Sequence, residues 1–489
     1  MSGRIAPRAH RSVNEETHEV AWALVTERGV LSSIGGAAER VVRRFMPDPF
    51  VLVLLLTLVT LALGFVSMGY APGPEGTLAY SVRASELITA WTAGFGNAEI
   101  LKFGLQIILI VVTGEAIAES PPAKRALRWL TAIPTTPRGA LFLVSSFAVV
   151  TGWVHWGFGL VSSALLAREV GRSLKGRGIQ VHYALLGTGA YASMLLWHAG
   201  LTASAPLLMN TEKNFVSDAL GMAGQKIPLT ATIFAPYNLI VCALIAIIVP
   251  PLVTAMHPKT GIVEADLLPD ATEEPKTADS NAERTFAERI DRARFLPLLV
   301  GMLGLSFLVR HVREHGFDLN HNVVNVSFLM LGMTLHPSAV SYAKAISKSV
   351  RGVSGIVLQF PFYGGILAVM NKTGLSEHIA HAFIGGATAK SLPLLTFFAS
   401  IVTKSFVPSG AGEWAVEGPV MLKAAKELGA PFGKITMAVA YGNMLGNMYQ
   451  PFWSLPLLGL MGLRARDIMG YCLILFVVCL PILGLALWL

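Results

Sequence analysis

The residues best suited to chemistry in this chain sit where apolar runs are interrupted. Residues 153–159 read WVHWGFG and residues 407–419 read VPSGAGEWAVEGP, each inside an otherwise apolar stretch. A second kind of break follows each of them: HAGLTASAP at 198–206, and 443–451 with Asn443, Asn447 and Gln450. An interrupted helix presents bare N–H groups at the start of one half and bare carbonyls at the end of the other. The first attract a carboxylate and the second a cation. Hydroxyls, amides and small residues at such points therefore suit a small anion taken with a coupling ion. Small residues also let helices pack closely, but four interruptions related by an internal repeat favour binding.

Lipid has to hold these segments in place. Of the 489 residues, 53% are hydrophobic and 14% charged, whereas a soluble domain carries about 25% charged residues. The net charge of +8 reads as Lys and Arg gathered in short cytoplasmic loops, not as a nucleic-acid surface, because the basic residues flank apolar runs. Cys242, Cys472 and Cys479 lie in apolar segments and behave as small hydrophobes. No phosphate loop, nucleophilic triad or cofactor fingerprint occurs, so we expect neither an enzyme nor a bound cofactor. His311, His315 and His321, like His378 and His381, read as solvated loops without metal-ligand spacing.

Segment 1–48 is polar and reads as cytoplasmic, with Arg40, Arg43 and Arg44 before the first long apolar run, 49–68, a signal anchor. A span needs roughly 20 apolar residues. Candidates lie near 49–68, 100–119, 182–208, 229–254, 295–310, 350–370, 433–460 and 467–488, with a shorter run at 322–336. Both flanks of 139–167 are basic (Lys124, Arg125, Arg128 and Arg138 before; Arg168, Arg172, Lys175 and Arg177 after). A single crossing cannot begin and end on one side, so 139–167 is expected to be a re-entrant hairpin. The count then gives 49–254 as a first transmembrane repeat, 255–294 as a cytoplasmic linker and 295–489 as a second repeat with hairpin 391–421. Helices 121–135 and 374–388 look amphipathic and interfacial.

Shifting the chain by 250 residues lays 191–208 on 441–458 with seven of eighteen positions identical, among them Tyr191/Tyr441, Ser204/Ser454 and Pro206/Pro456. Five spans separate the hairpins, so the halves point in opposite directions. The expected fold is an all-α polytopic membrane protein built of two inverted-topology repeats. It has about nine transmembrane helices, two re-entrant hairpins and broken helices at the midplane, the usual frame of an alternating-access carrier.

FMPDPF (45–50), WGFGLVSSALLAREV (156–170), HAGLTASAPLL (198–208), VPSGAGEWAVEGP (407–419) and NMYQPFWSLPLL (447–458) resemble the bacterial short-chain fatty acid transporter family. The resemblance runs from about residue 40 to the C-terminus, outside the linker. It implies a multi-pass inner-membrane carrier for acetoacetate, butyrate or similar monocarboxylates, working by ion-coupled symport with an elevator motion. Another organic anion, such as a dicarboxylate or aromatic acid, is the alternative. The family pattern reads closer to PSGGGQWAVQGP. Here Ala411, Glu413 and Glu417 replace a Gly and two Gln, Lys404 replaces an amide, and Asn443 stands where Asp is common. With a turn near Gly410 and Ala411, Lys404 and Glu417 would pair across the hairpin arms, leaving Glu413 facing the cavity as a proton carrier.

The expected substrate site comprises His155, Trp156, Gly157, Gly159, His198, Thr202, Ser204, Ser409, Gly410, Gly412, Glu413, Asn443, Asn447 and Gln450. Trp153, Trp156 and Trp414 are candidate apolar walls. The coupling ion stays open between H⁺ and Na⁺, the latter placed near Ser409 and Asn443. The expected partners are a small carboxylate and the lipid bilayer, with a homodimer left open and no nucleic acid.

Overall fold

A computed structural model describes residues 49–69, 80–221, 225–258, 262, 285–405, 407 and 409–489. Segment 1–48 and most of the linker 255–294 lie outside the described residues. Every regular element among those described is helical.

Apolar α1 (Pro49–Gly69) is followed by α2 (Tyr80–Gly94), α3 (Ala98–Ala118) and short α4 (Pro121–Thr131). Next come α5 (Pro137–Val154) and α6 (Trp156–Gly176), separated by His155 alone. A long broken segment follows: α7 (Tyr183–Tyr191), two 3₁₀ turns at 192–195 and 197–199, then α8 (Ser204–Met209). Short α9 (Phe215–Ala219) and long α10 (Pro236–Ala255) precede the linker. After it come α11 (Phe286–Asp291), α12 (Phe295–His315), α13 (His321–Leu335) and α14 (Ala339–Val350). The chain then runs through α15 (Ser354–Thr373), α16 (Leu375–Ile384), α17 (Leu392–Thr403) and α18 (Gly410–Leu428). It ends with α19 (Phe432–Gly446), α20 (Ser454–Met461) and α21 (Ala465–Trp488).

The series α3 to α8 and α10 repeats as α15 to α20 and α21, and its packing repeats with it. α4 lies on α6 as α16 lies on α18, α5 on α7 as α17 on α19, and α5 on α10 as α17 on α21. Charged contacts join distant loops: Glu119 bridges Lys124 and Lys348, and Ser173 at the end of α6 reaches Thr131, the last residue of α4. Lys226 meets Glu212 and Asp318, Lys372 meets Glu86, and His381 meets Glu427 at the end of α18.

Among the described residues, seven helical stretches have the length and apolarity to cross a membrane: 98–118, 137–154, 183–209, 236–255, 286–315, 354–373 and 465–488. Segments 53–68, 321–335 and 392–403 are shorter apolar helices. Two differences from the sequence reading stand out. α5 is itself 18 residues long, roughly 27 Å at 1.5 Å per residue, so the first hairpin reaches deeper than a half-membrane dip. Helix α2 is not among the elements expected from the sequence. Its apolar content is low, but Leu87 is buried and the chain at Gly94 lies against Gly364 and Gly365 of α15. Tertiary contact sustains a helix that its composition does not announce.

Candidate functional site

Each interruption has a local cause. Thr136 caps α5 with Pro137 at its first position, a favoured helix start. α5 stops at His155, whose extended backbone (φ −157°, ψ 108°) closes one helix and opens the next. The His155 Nδ1 accepts from the Phe158 amide at 3.2 Å, so the ring caps α6 in place of the usual Ser or Asp. In the second hairpin Ser409 plays the same part, its hydroxyl accepting from the Gly412 amide at 3.3 Å. The first arm ends at Thr403 and the second starts at Gly410, so the expected turn residues Gly410 and Ala411 instead form the first turn of α18.

The tip of the first hairpin locks onto the first break. The Trp156 amide donates to Thr202 Oγ1 at 3.2 Å, and the Leu201 amide donates to the Trp153 carbonyl at 2.8 Å. A Cβ on Gly200 would fall 2.0 Å from that carbonyl oxygen, so only glycine fits. Gly157 lies on the backbone of α3 and Gly159 on Gly152 of α5, which makes both of them packing positions. The tip of the second hairpin meets both breaks: Gly410 lies against the His198 ring and the Asn443 carboxamide, and Gly412 against the Tyr363 ring.

At this junction the buried charges are strung together. Lys404 Nζ donates to Asn443 Oδ1 at 3.2 Å, and Asn443 Nδ2 donates to Glu413 Oε2. Ser400 Oγ donates to Glu417 Oε1 at 2.7 Å. The expected Lys404–Glu417 pair is thus replaced: the ammonium reaches Glu413 through Asn443, while Glu417 takes the hydroxyl one turn back on α17. The cause is the upstream turn, which shifts the register between the arms. Lys404, Glu413 and Asn443 have no exposed surface.

Several side chains beside this chain hold buried polar atoms with no hydrogen-bond partner: Glu413 Oε1, Glu417 Oε2, both His198 ring nitrogens, Ser204 Oγ and both amide atoms of Asn447. Unpaired buried polar atoms are costly, and their clustering at one junction makes it the candidate site. Gln450 accepts from the Phe452 amide at 3.3 Å and shapes the second break. The structure thus assembles His198, Ser409, Gly410, Glu413 and Asn443, while His155, Trp156 and Thr202 pin the first hairpin to the first break. Three contributors escaped the sequence reading: Ser400, Trp197 and Trp453. Trp197 packs tilted against His198 (centroids 3.7 Å apart), lies 6.0 Å from Lys404 Nζ, and packs with Trp156 and Trp453. Of the expected walls only Trp156 belongs to this group.

Residues 30–489 match the family described as short chain fatty acid transporter. The chain belongs to that family. Two relatives carry the name "Putative short-chain fatty acid transporter". The one from Escherichia coli (strain K12) is 38% identical over 454 residues, covering 92% of this chain and 98% of the relative. The one from Haemophilus influenzae is 38% identical, covering 91% and 97%. The fold is also that of more distant solved transporters. The YdaH transporter of Alcanivorax borkumensis, whose structure is described as having an unusual topology, superposes with a TM-score of 0.58 at 17% identity, over 90% of this chain and 97% of that one. Neisseria gonorrhoeae MtrF, described among antimetabolite efflux pumps, gives 0.56 at 15%, over 91% and 95%. This short-chain fatty acid transporter family member is therefore a multi-pass membrane protein with the shared fold.

Proposed function

We propose that this protein is a secondary active carrier that takes up short-chain monocarboxylates, acetoacetate or butyrate among them, by ion-coupled symport across the bacterial inner membrane. The observation that carries the reading is the junction of the second hairpin with both broken segments. There a buried ammonium lies among amides and helix starts, and the Trp156, Trp197 and Trp453 rings close one side. A monocarboxylate fits this pairing: Lys404 meets its charged end and the aromatic rings meet a few methylenes. Alternating access follows from two hairpins that open to opposite sides around one junction. An elevator displacement of the hairpin-bearing part would carry that junction across the bilayer. The N-terminus is assigned to the cytoplasm on the basic residues of the Glu119 side.

Counterflow in proteoliposomes tests the reading. Vesicles preloaded with unlabelled butyrate should transiently accumulate labelled butyrate above the level in protein-free vesicles. Flux that only ever equilibrates would mean a channel. Counterflow with succinate or benzoate but not butyrate would move the substrate to the dicarboxylates or aromatic acids.

A further inference from the structure

Lys404, Glu413 and Glu417 bring one ammonium and two carboxyl groups together in the interior: Lys404 reaches Glu413 through Asn443, and Glu417, one helical turn on along α18, accepts from Ser400. Each neighbouring element contributes a group that faces this cluster. The first break supplies His198 and Trp197, α15 supplies Tyr363, α17 supplies Ser400, and α19 supplies Asn443. The second break supplies Tyr449, whose hydroxyl lies 2.9 Å from that of Ser405. Of these, only His198 could become a second cation. It sits beside Lys404 with both ring nitrogens lacking a hydrogen-bond partner, an environment that opposes a second positive charge. Lys404, rather than His198, is therefore assigned as the cation of the cluster.

We infer that the Glu413–Glu417 carboxyl pair is a proton store, and that one proton enters it with each monocarboxylate that Lys404 binds. The inference rests on the proposed function and names its coupling ion. Charge balance requires it. A buried net charge is expensive, whereas a balanced, hydrogen-bonded cluster is tolerated. Two carboxylates against one ammonium leave one negative charge in excess, so the resting cluster holds one proton on the pair, which lies one helical turn apart on α18. An incoming carboxylate brings a further negative charge. The cluster returns to neutrality when a second proton binds. The Lys404 N–H then turns from Asn443 Oδ1 to the substrate oxygen, and the new O–H forms on the second carboxyl of the pair. Glu413 Oε1 and Glu417 Oε2, both buried and without a hydrogen-bond partner, are the carboxyl oxygens open to it. No covalent bond other than that O–H is made, and on release the proton and the anion leave to the same side.

Isothermal titration calorimetry of the purified full-length protein tests this. Butyrate is titrated at pH 7 in two buffers of different ionisation enthalpy, once with Na⁺ and once with choline as the salt. The expected result is uptake of one proton per butyrate bound, with an affinity that does not change when choline replaces Na⁺. Glu413→Gln and Glu417→Gln should each still take up one proton, because either variant begins neutral. The double variant begins with Lys404 uncompensated, and its uptake should fall to zero. Zero uptake in the unmodified protein, an affinity that rises at least tenfold with Na⁺, or one proton still taken up by the double variant would each overturn the inference. The unmodified protein decides the matter even where a variant fails to fold. Absence of binding for all C2–C6 acids would instead remove the proposed function itself.

Discussion

Gly410 is where a single atom has the largest predicted consequence. A Cβ there would lie 2.2 Å from His198 Cε1 and 2.8 Å from Asn443 Oδ1. His198 cannot swing away easily, because its ring packs against that of Trp197, and Asn443 is held between Lys404 and Glu413. Gly410→Ala should therefore cost about 1–3 kcal/mol, as overpacking in a filled interior does. It should abolish butyrate counterflow, with both effects read on the same purified protein. Ser409→Gly offers the contrast: it removes a capping hydroxyl but adds no atoms, and its stability cost should stay within a few tenths of a kcal/mol. Glu413, Asn443 and His198 were legible in the sequence because a polar group inside an apolar run is an exception that needs a reason. Ser400 and Trp197 were not, since a lone serine or tryptophan in such a run reads equally well as packing. The partner of Lys404 was illegible for another reason: it depends on where the turn falls, and a few residues change which side chains face each other.

Among the elements, the first hairpin hangs on one hydroxyl. Thr202 Oγ1 is the acceptor for the Trp156 amide, one of the bare N–H groups at the start of α6. Thr202→Val keeps the shape and leaves that N–H unpaired, which should cost about 1–3 kcal/mol; Thr202→Ser should restore most of it. Thermal unfolding of the three proteins in one detergent would show this order, and equal midpoints would mean that the contact carries nothing. A second element-scale device lies at the loop after α3, where Glu119 accepts from Lys124 at 2.6 Å and from Lys348 at 2.8 Å. Burial pushes the Glu119 carboxyl upward, but the two lysine hydrogen bonds outweigh it and hold the group below its ordinary value. A depressed folded value means the contribution is present above the unfolded pKa and is lost as pH falls through the folded one. Glu119→Gln should therefore lower stability at pH 7, by under about 1 kcal/mol because both lysines are half exposed. It should converge with the unmodified protein below about pH 4. At this scale the hairpins and breaks were legible from their flanking charges and interruptions. α2 was not, because its helix depends on contact with α15, far along the chain.

For the whole molecule, the 250-residue offset already announced the repeat, and the structure adds that the packing pairs repeat too. What no periodicity could supply is which distant loops share a side, such as Lys348 with Glu119, or Lys226 with Asp318. That sorting makes a prediction about accessibility. Cys242, Cys472 and Cys479 are all buried, so a membrane-impermeant maleimide should leave the unmodified protein unlabelled in intact cells and in inverted vesicles. This makes the native chain its own cysteine-free background. Single cysteines at Lys348 and Arg177 should then react only in inverted vesicles, and those at Glu212 and Glu427 only in cells whose outer membrane has been permeabilised. The comparison of Arg177 with Glu427 matters most, because these residues stand at the ends of the two hairpins' second arms. Labelling of both from one side would mean that the hairpins open in the same direction. The junction of the two breaks would then face a single compartment, and no rigid motion of an inverted pair could expose it to the other.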